Sequence, residues 1–209
     1  KLTKKFNLAR PIIVADAGLL TKANMDTLAG LGYTYIIGAR AKSEKTIIKN
    51  EILSLQLNDG ETKVIHKTDG NRLIISYSEK RAKKDEHNRK RGLNRLEKQV
   101  KSGKLTKQNI NNKGYNKYLR MKGKVEIEID YDKYNADKRW DGLKGYITNT
   151  TLSPSTILEQ YKNLWHIEKA FRMSKSDLRI RPIYHRLKKR IEAHICLSFA
   201  AYSIYKELE

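Results

Sequence analysis

Three residues stand seven apart near the C-terminal end of the sequence: Tyr161, Glu168 and Lys175. On an α-helix such positions drift by only about 20°, so the three share a face. Leu164 and Trp165 precede Glu168 by one turn, and Phe171 and Arg172 follow it by one. Glu168 is therefore expected on or beside an apolar stripe. An ionised carboxylate there requires a cation or a metal, and Arg172 is the simplest ion-pair partner. Far upstream, Asp16 ends the apolar run Ile12, Ile13, Val14, Ala15 and is followed by Ala17 and Gly18. A carboxylate at the C-terminal end of a buried strand sits where open α/β sheets bind ligands; taken alone, it also suits a turn or helix cap. Two carboxylates on rigid elements fit metal-assisted displacement at a phosphodiester, with hard ions such as Mg²⁺.

The charge balance names the partner. Lys and Arg number 44 against 23 Asp and Glu, a net +21. Such an excess repels itself unless a polyanion is near; nucleic acid is the first candidate and an anionic membrane surface the second. No apolar run spans a bilayer and no secretory signal is visible. A lone Cys196 excludes an intrachain disulfide and a cysteine zinc cage. His66, His87, His166, His185 and His194 show no ligand spacing. A reducing cytoplasm fits.

The elements that must position the carboxylates follow from pattern. Residues 12–15 and 33–38 read as buried strands, joined by a helix capped by Thr21 and stopped at Gly30 and Gly32. This is a crossover unit with a partly parallel sheet. Residues 43–57 suggest a helix, and 63–67 with 72–77 a hairpin around Asp69-Gly70-Asn71. Residues 79–104 carry eleven basic and four acidic side chains and predict one long exposed helix. Residues 125–131 alternate as a half-exposed strand, and 143–148 form another. Ser153-Pro154 opens a helix expected to run to about Arg172. A last helix over 187–208 presents Ile191, Ile195, Ser198 or Phe199, Tyr202 and Tyr205 on a face expected to pack on the sheet.

Tyr161, Glu168 and Lys175 match a Tyr-x2-Arg-x3-Glu-x6-Lys signature, with Leu164 standing where the Arg is expected. The segment around Asp16, Trp140-Asp141-Gly142 and the stretch from Arg181 to His185 are similar to flanking segments of the same group. On these residues the chain resembles the catalytic domain of bacterial insertion-sequence transposases with an Asp-Asp-Glu triad, of the superfamily named after insertion sequence four. The resemblance implies an α/β fold with an RNase H-like core, whose first strands lie outside this sequence, and a β-rich and basic-helix insertion. The expected division is core over 1–42, insertion over 43–142, and core again over 143–209. It implies Asp16 and Glu168 as catalytic metal ligands for two Mg²⁺ or Mn²⁺ ions, cleavage at transposon ends, and transfer of the freed 3′-hydroxyl into target DNA. Residues 1–10 contain no acid, so the first Asp is expected in a preceding segment and the 209 residues alone are expected to be inactive.

Double-stranded DNA is the implied partner, with Tyr161, Lys175 and Arg172 as expected contacts near the cleavage site; Trp140 suits stacking on an unpaired base, but beside Asp-Gly it suits a turn anchor better. Lys83, Lys84, Arg91 and Arg95 of the basic helix are expected along phosphates, giving salt-dependent affinity, with a merely solvated helix as the rival reading. Action by a homodimer on paired ends, in the cytoplasm at the nucleoid, completes the expectation, with no membrane involved. Two rivals stand beside it: a non-catalytic basic DNA-binding protein, in which Asp16 caps and Glu168 pairs, and an RNase H-fold nuclease without strand transfer.

Overall fold

The computed structural model describes residues 10–19, 21–123, 126–176, 178 and 180–208; Val125 and Asp177 lie outside them. It is a mixed α/β fold with a five-stranded sheet in the order β1-β2-β7-β4-β3 and a separate two-stranded sheet, β5-β6. The strands are β1 (Ile13–Ala15), β2 (Tyr35–Ala39), β3 (Thr62–His66), β4 (Arg72–Tyr77), β5 (Leu119–Lys122), β6 (Glu126–Ile129) and β7 (Leu143–Thr148). The α-helices are α1 (Lys22–Gly30), α2 (Thr46–Ser54), α3 (Glu79–Lys101), α4 (Tyr131–Lys138), α5 (Pro154–Lys162), α6 (Leu164–Ser176) and α7 (Lys188–Leu208).

β1 and β2 pair in parallel because α1 carries the chain back between them. Thr21 caps α1 by accepting from the Asn24 N–H at 3.1 Å. Gly32, at φ +71°, closes it, with the Tyr33 N–H returning to the Leu28 carbonyl at 2.9 Å. β2–β7, β7–β4 and β4–β3 are antiparallel. The β3–β4 turn is the one expected from sequence: Gly70 has φ +78° and the Asn71 N–H bonds Asp69 Oδ1 at 3.1 Å. β3 and β4, which fall within 43–142, thus join the same sheet as the strands that flank that segment.

Strand alternation divides the core. On one face Ala15, Tyr35, Ile37 and Ile147 meet Met25 and Leu28 of α1, while Ile52 of α2 sits on Ile65, Leu73 and Ile75. On the other, Ile36, Ile74 and Tyr146 receive Ile157 of α5, with Leu158 and Tyr161 beside it. Ser153 caps α5 by accepting from the Thr156 N–H at 3.2 Å, as Ser-Pro predicts.

Three expectations are corrected. The helix opened at Pro154 does not run unbroken to Arg172: Asn163 ends α5 and α6 begins at Leu164, so Tyr161 and Glu168 lie on different helices. The long basic helix is not exposed all round. Leu96 joins Tyr118, Leu119 and Ile129 in a second core against the small sheet, and Tyr115 lies flat on the helix where Gly92 has no side chain. Finally, α7 does not pack on the sheet; it lies on α6, and none of its residues is buried. Both faces of the sheet are already covered by α1, α2 and α5.

Candidate functional site

Val14 faces α5, so Asp16, two residues on, belongs to the same side at the C-terminal end of β1. It is exposed, and its Oδ1 accepts the Gly18 N–H at 2.8 Å. The capping duty is therefore real and occupies one oxygen. In the neighbouring strand Gly38 is buried, and a Cβ there would collide with the Tyr161 hydroxyl and come within 3.1 Å of the Ala17 nitrogen. The missing side chain is what lets Tyr161 reach from the end of α5 over β2 to the backbone beside Asp16. Burial raises the Tyr161 pKa, and the Asp16 charge raises it further; the phenol stays protonated and can donate.

Lys144 completes this corner. The register pairs Gly38 with Tyr146 and Ser76 with Lys144, so Lys144 and Tyr146 both point to the α5 side. Its ammonium lies 4.4 Å from the Tyr161 ring centre and 5.1 Å from that of Tyr146, and the two rings meet edge to face at 4.8 Å. Burial first, then the Arg81 guanidinium, push the Lys144 pKa down.

Glu168 lies on α6 and is exposed, not set in a buried stripe: Trp165 is 53% and Phe171 61% exposed, and the buried residue of the helix is Met173. The apolar face implied by the seven-residue spacing is there, but it is turned to solvent. No ion pair joins Glu168 to Arg172 among the described residues, so the expected simple pairing is not made.

The transposase DDE domain family matches residues 2–204, nearly the whole chain. The chain belongs to that family. No curated protein and no solved structure matches it. Membership makes this a DNA-transposition domain of an enzyme family that acts on DNA. No helix among the described residues is long and apolar enough to cross a membrane.

Within the transposase domain, the two acidic positions fit a divalent metal in kind: exposed carboxylates, one with a single oxygen already engaged, offer hard oxygen donors. Among the described residues no three His, Cys, Asp or Glu side chains gather into a metal site. Asp16 and Tyr161 are brought together; Glu168, Arg172 and Lys175 stand on α6, all exposed.

The cations of α3 divide into two sets. Lys84, Arg91 and Arg95 are exposed on one face, and Lys83 is exposed but paired with Glu79 at 2.8 Å. Arg89 is buried, and its Nη1 donates to both carboxylate oxygens of Asp141, which removes it from any phosphate. Trp140 is half-buried, packs against the Ile52–Leu73 cluster and lies 5.9 Å beneath the Lys42 ammonium; it anchors a turn. His194 contacts the Ile180 carbonyl at 3.2 Å.

Reading by sequence missed Lys144, Arg81 and Gly38. The first was within reach: in Leu143–Thr148, alternation sets Lys144 on the same face as Tyr146, and a lysine on a core-facing register is a signal. Arg81 lay hidden among ten other basic residues of its segment.

Proposed function

We propose that this domain carries two of the three metal-binding carboxylates of a DDE transposase, Asp16 and Glu168, on an RNase H-like core. In this reading β1, α1 and β2 are the parallel part of the core, and α6 is the helix that brings the glutamate. The division 1–42, 43–142 and 143–209 is kept, with the inserted strands prolonging the core sheet and α3 forming a basic arm. The observation that carries the reading is the Tyr161 hydroxyl over Gly38. It packs the helical end that leads to Glu168 against the strand end that holds Asp16, more than a hundred positions earlier.

Mg²⁺ or Mn²⁺, two ions per site, would be held by Asp16 and Glu168 and would supply Lewis-acid stabilisation of the attacking and leaving oxygens. In the first reaction a water oxygen bonds to phosphorus at the transposon end, the bond from phosphorus to the 3′-oxygen breaks, and the proton given up by the water balances the one taken by the departing oxygen, which becomes a 3′-hydroxyl. In the second, that 3′-oxygen bonds to a target phosphorus and the target's 3′-oxygen departs with a proton. Tyr161 remains a donor to a phosphate oxygen. Lys175 and Arg172 neutralise the strand near α6, while Trp140, packed against the Ile52–Leu73 cluster, contacts DNA only at the rim of the cavity that it shares with Lys42 and Lys144. Lys83, Lys84, Arg91 and Arg95 track the backbone further out. Two copies act on paired ends.

Fe²⁺ in place of Mg²⁺, with ascorbate and peroxide, cuts polypeptide beside a bound ion. The expected fragments end near residues 16 and 168 and vanish with excess Mg²⁺, with Asp16→Asn and with Glu168→Gln. Cutting near one position only would reject the shared site and leave the cap-and-surface reading, which the Gly18–Asp16 bond favours.

A further inference from the structure

Beyond the carboxylates, the same end of the sheet holds an unanswered positive charge. A cavity of about 160 Å³ opens between the ends of β2 and β7 and the first turn of α3. Its charged residues are Arg40, Lys42, Arg81 and Lys144, and no acid lines it. The walls are otherwise small, with Gly145 among them, and Trp140 closes one side. That volume equals about five waters, room for a phosphate group.

The four cations differ in what answers them. Lys42 bonds Asp137 at 2.9 Å, and Arg81 reaches Asp85 at 3.5 Å. Arg40 and Lys144 have no carboxylate partner among the described residues. Lys144 is the unusual one. Its side chain lies between two tyrosine rings and beside a guanidinium, where burial and a like charge both oppose the ammonium. The two ring faces offset part of that cost. An anion entering the cavity would offset the rest.

We propose that Lys144, with Arg40 and Arg81, binds a phosphate of the DNA backbone immediately beside the Asp16–Tyr161 corner. The inference rests on the transposase reading. It supplies from β7 the cation that the signature would place at residue 164, where this chain has Leu164. Lys144 joins the two places: it lines the cavity, and its ammonium lies 4.4 Å from the Tyr161 ring centre, so a phosphate held there sets the strand's path toward the carboxylates. Lys144 is thus a positioning residue for the strand, not a ligand of the metal.

Two measurements test it on the 209-residue chain. In the first, a short duplex of arbitrary sequence is titrated by fluorescence anisotropy through a salt series. Removing one protein–phosphate interaction lowers the slope of log K against log salt by about 0.9. Lys144→Gln is expected to lower the slope by about that much and to weaken binding about 3–10-fold at low salt. Lys144→Arg should keep the slope, and Lys22→Gln, on the opposite side of the sheet, should leave it unchanged. In the second, the unaltered protein is acetylated with and without duplex, and Lys144 is read by mass spectrometry, so that no variant has to fold. Protection by duplex, and not by inorganic phosphate at the same phosphate concentration, supports the site. Equal acetylation in both states, an unchanged slope for Lys144→Gln, or equal protection by free phosphate would each overturn it. Failure of the iron cutting at residues 16 and 168, with Lys144 protected, would remove the catalytic reading and leave the phosphate site standing.

Discussion

At the scale of single residues, one absent methyl group governs the candidate site. Gly38 is the place where the Tyr161 hydroxyl rests, and a Cβ would also stand 3.2 Å from the ring carbon that bears it. Gly38→Ala is therefore expected to destabilise the domain by about 1–3 kcal/mol, the usual range for overpacking. Tyr161→Phe alone should cost about 1 kcal/mol or less, because no hydrogen bond of its hydroxyl is needed to hold α5. The pair should be less damaging than the sum, with a coupling of about 1 kcal/mol, since removing the oxygen relieves the nearer collision. Denaturant titration of the four proteins measures this. Strict additivity would mean that Tyr161 does not lie over Gly38. Asp137 offers a second test at the same scale. Burial would raise its carboxyl, but hydrogen bonds from Lys117, Lys42 and Tyr118 outweigh that and hold it at about 2, against an ordinary 3.8. A depressed acid stabilises the fold above its unfolded pKa and loses that contribution as pH falls through the folded value. The expected share is roughly 2–3 kcal/mol near neutrality, fading between about pH 4 and pH 2. The stability difference between the natural protein and Asp137→Asn should collapse across that window; a difference independent of pH would show that the network does not depend on the charge.

At the scale of elements, α3 does two things at once. Leu96 closes a small core with Tyr118, Leu119 and Ile129, while Lys84, Arg91 and Arg95 face water. Leu96→Ala is expected to cost about 2–4 kcal/mol and to loosen β5 and β6 before the main sheet, which hydrogen exchange resolves by element. The triple change of Lys84, Arg91 and Arg95 to Gln should leave the unfolding midpoint nearly unchanged and flatten the salt dependence of DNA binding. Loss of stability with unchanged binding would reverse these roles. The amphipathic nature of α3 was hard to read because apolar residues are sparse along it, and its buried positions include Arg89 and Gly92. Strands β1, β2, β4 and β7 were legible because they are apolar runs bounded by turn residues. β5 was not, since Leu119–Lys122 alternates with Arg and Lys on its open side. The break at Asn163 also escaped notice: asparagine preserves the helical period on both sides while acting as a C-cap. As a result the seven-residue spacing from Tyr161 to Glu168 overstated how directly one lies above the other, and the approach of Tyr161 to the strand end that holds Asp16 was not foreseen.

At the scale of the molecule, apolar surface is distributed unevenly. The sheet is sealed on both faces, yet Leu197 is 72% and Phe199 69% exposed on α7. The half-buried positions of that helix are Ile191, His194, Ser198 and Tyr202, spaced by three and four, so the side turned to α6 is a narrow, partly polar stripe. Sequence placed Ile191, Ser198 and Tyr202 on the packed face correctly and Ile195, Phe199 and Tyr205 wrongly, since these three are exposed; it also assigned the partner wrongly, because amphipathicity does not tell against what a face is buried. Stability should follow the observed side. Leu197→Glu with Phe199→Glu replaces two exposed side chains and is expected to change unfolding free energy by less than about 0.5 kcal/mol, within about 2 °C in midpoint. Ile191→Asp with Tyr202→Asp sets charges against α6 without partners and should cost several kcal/mol, about 2–5. Thermal unfolding at low micromolar concentration compares the two. If the Leu197 and Phe199 pair proved the more damaging, α7 would be rotated by about half a turn from the arrangement described, with its strongly apolar side against the body of the domain.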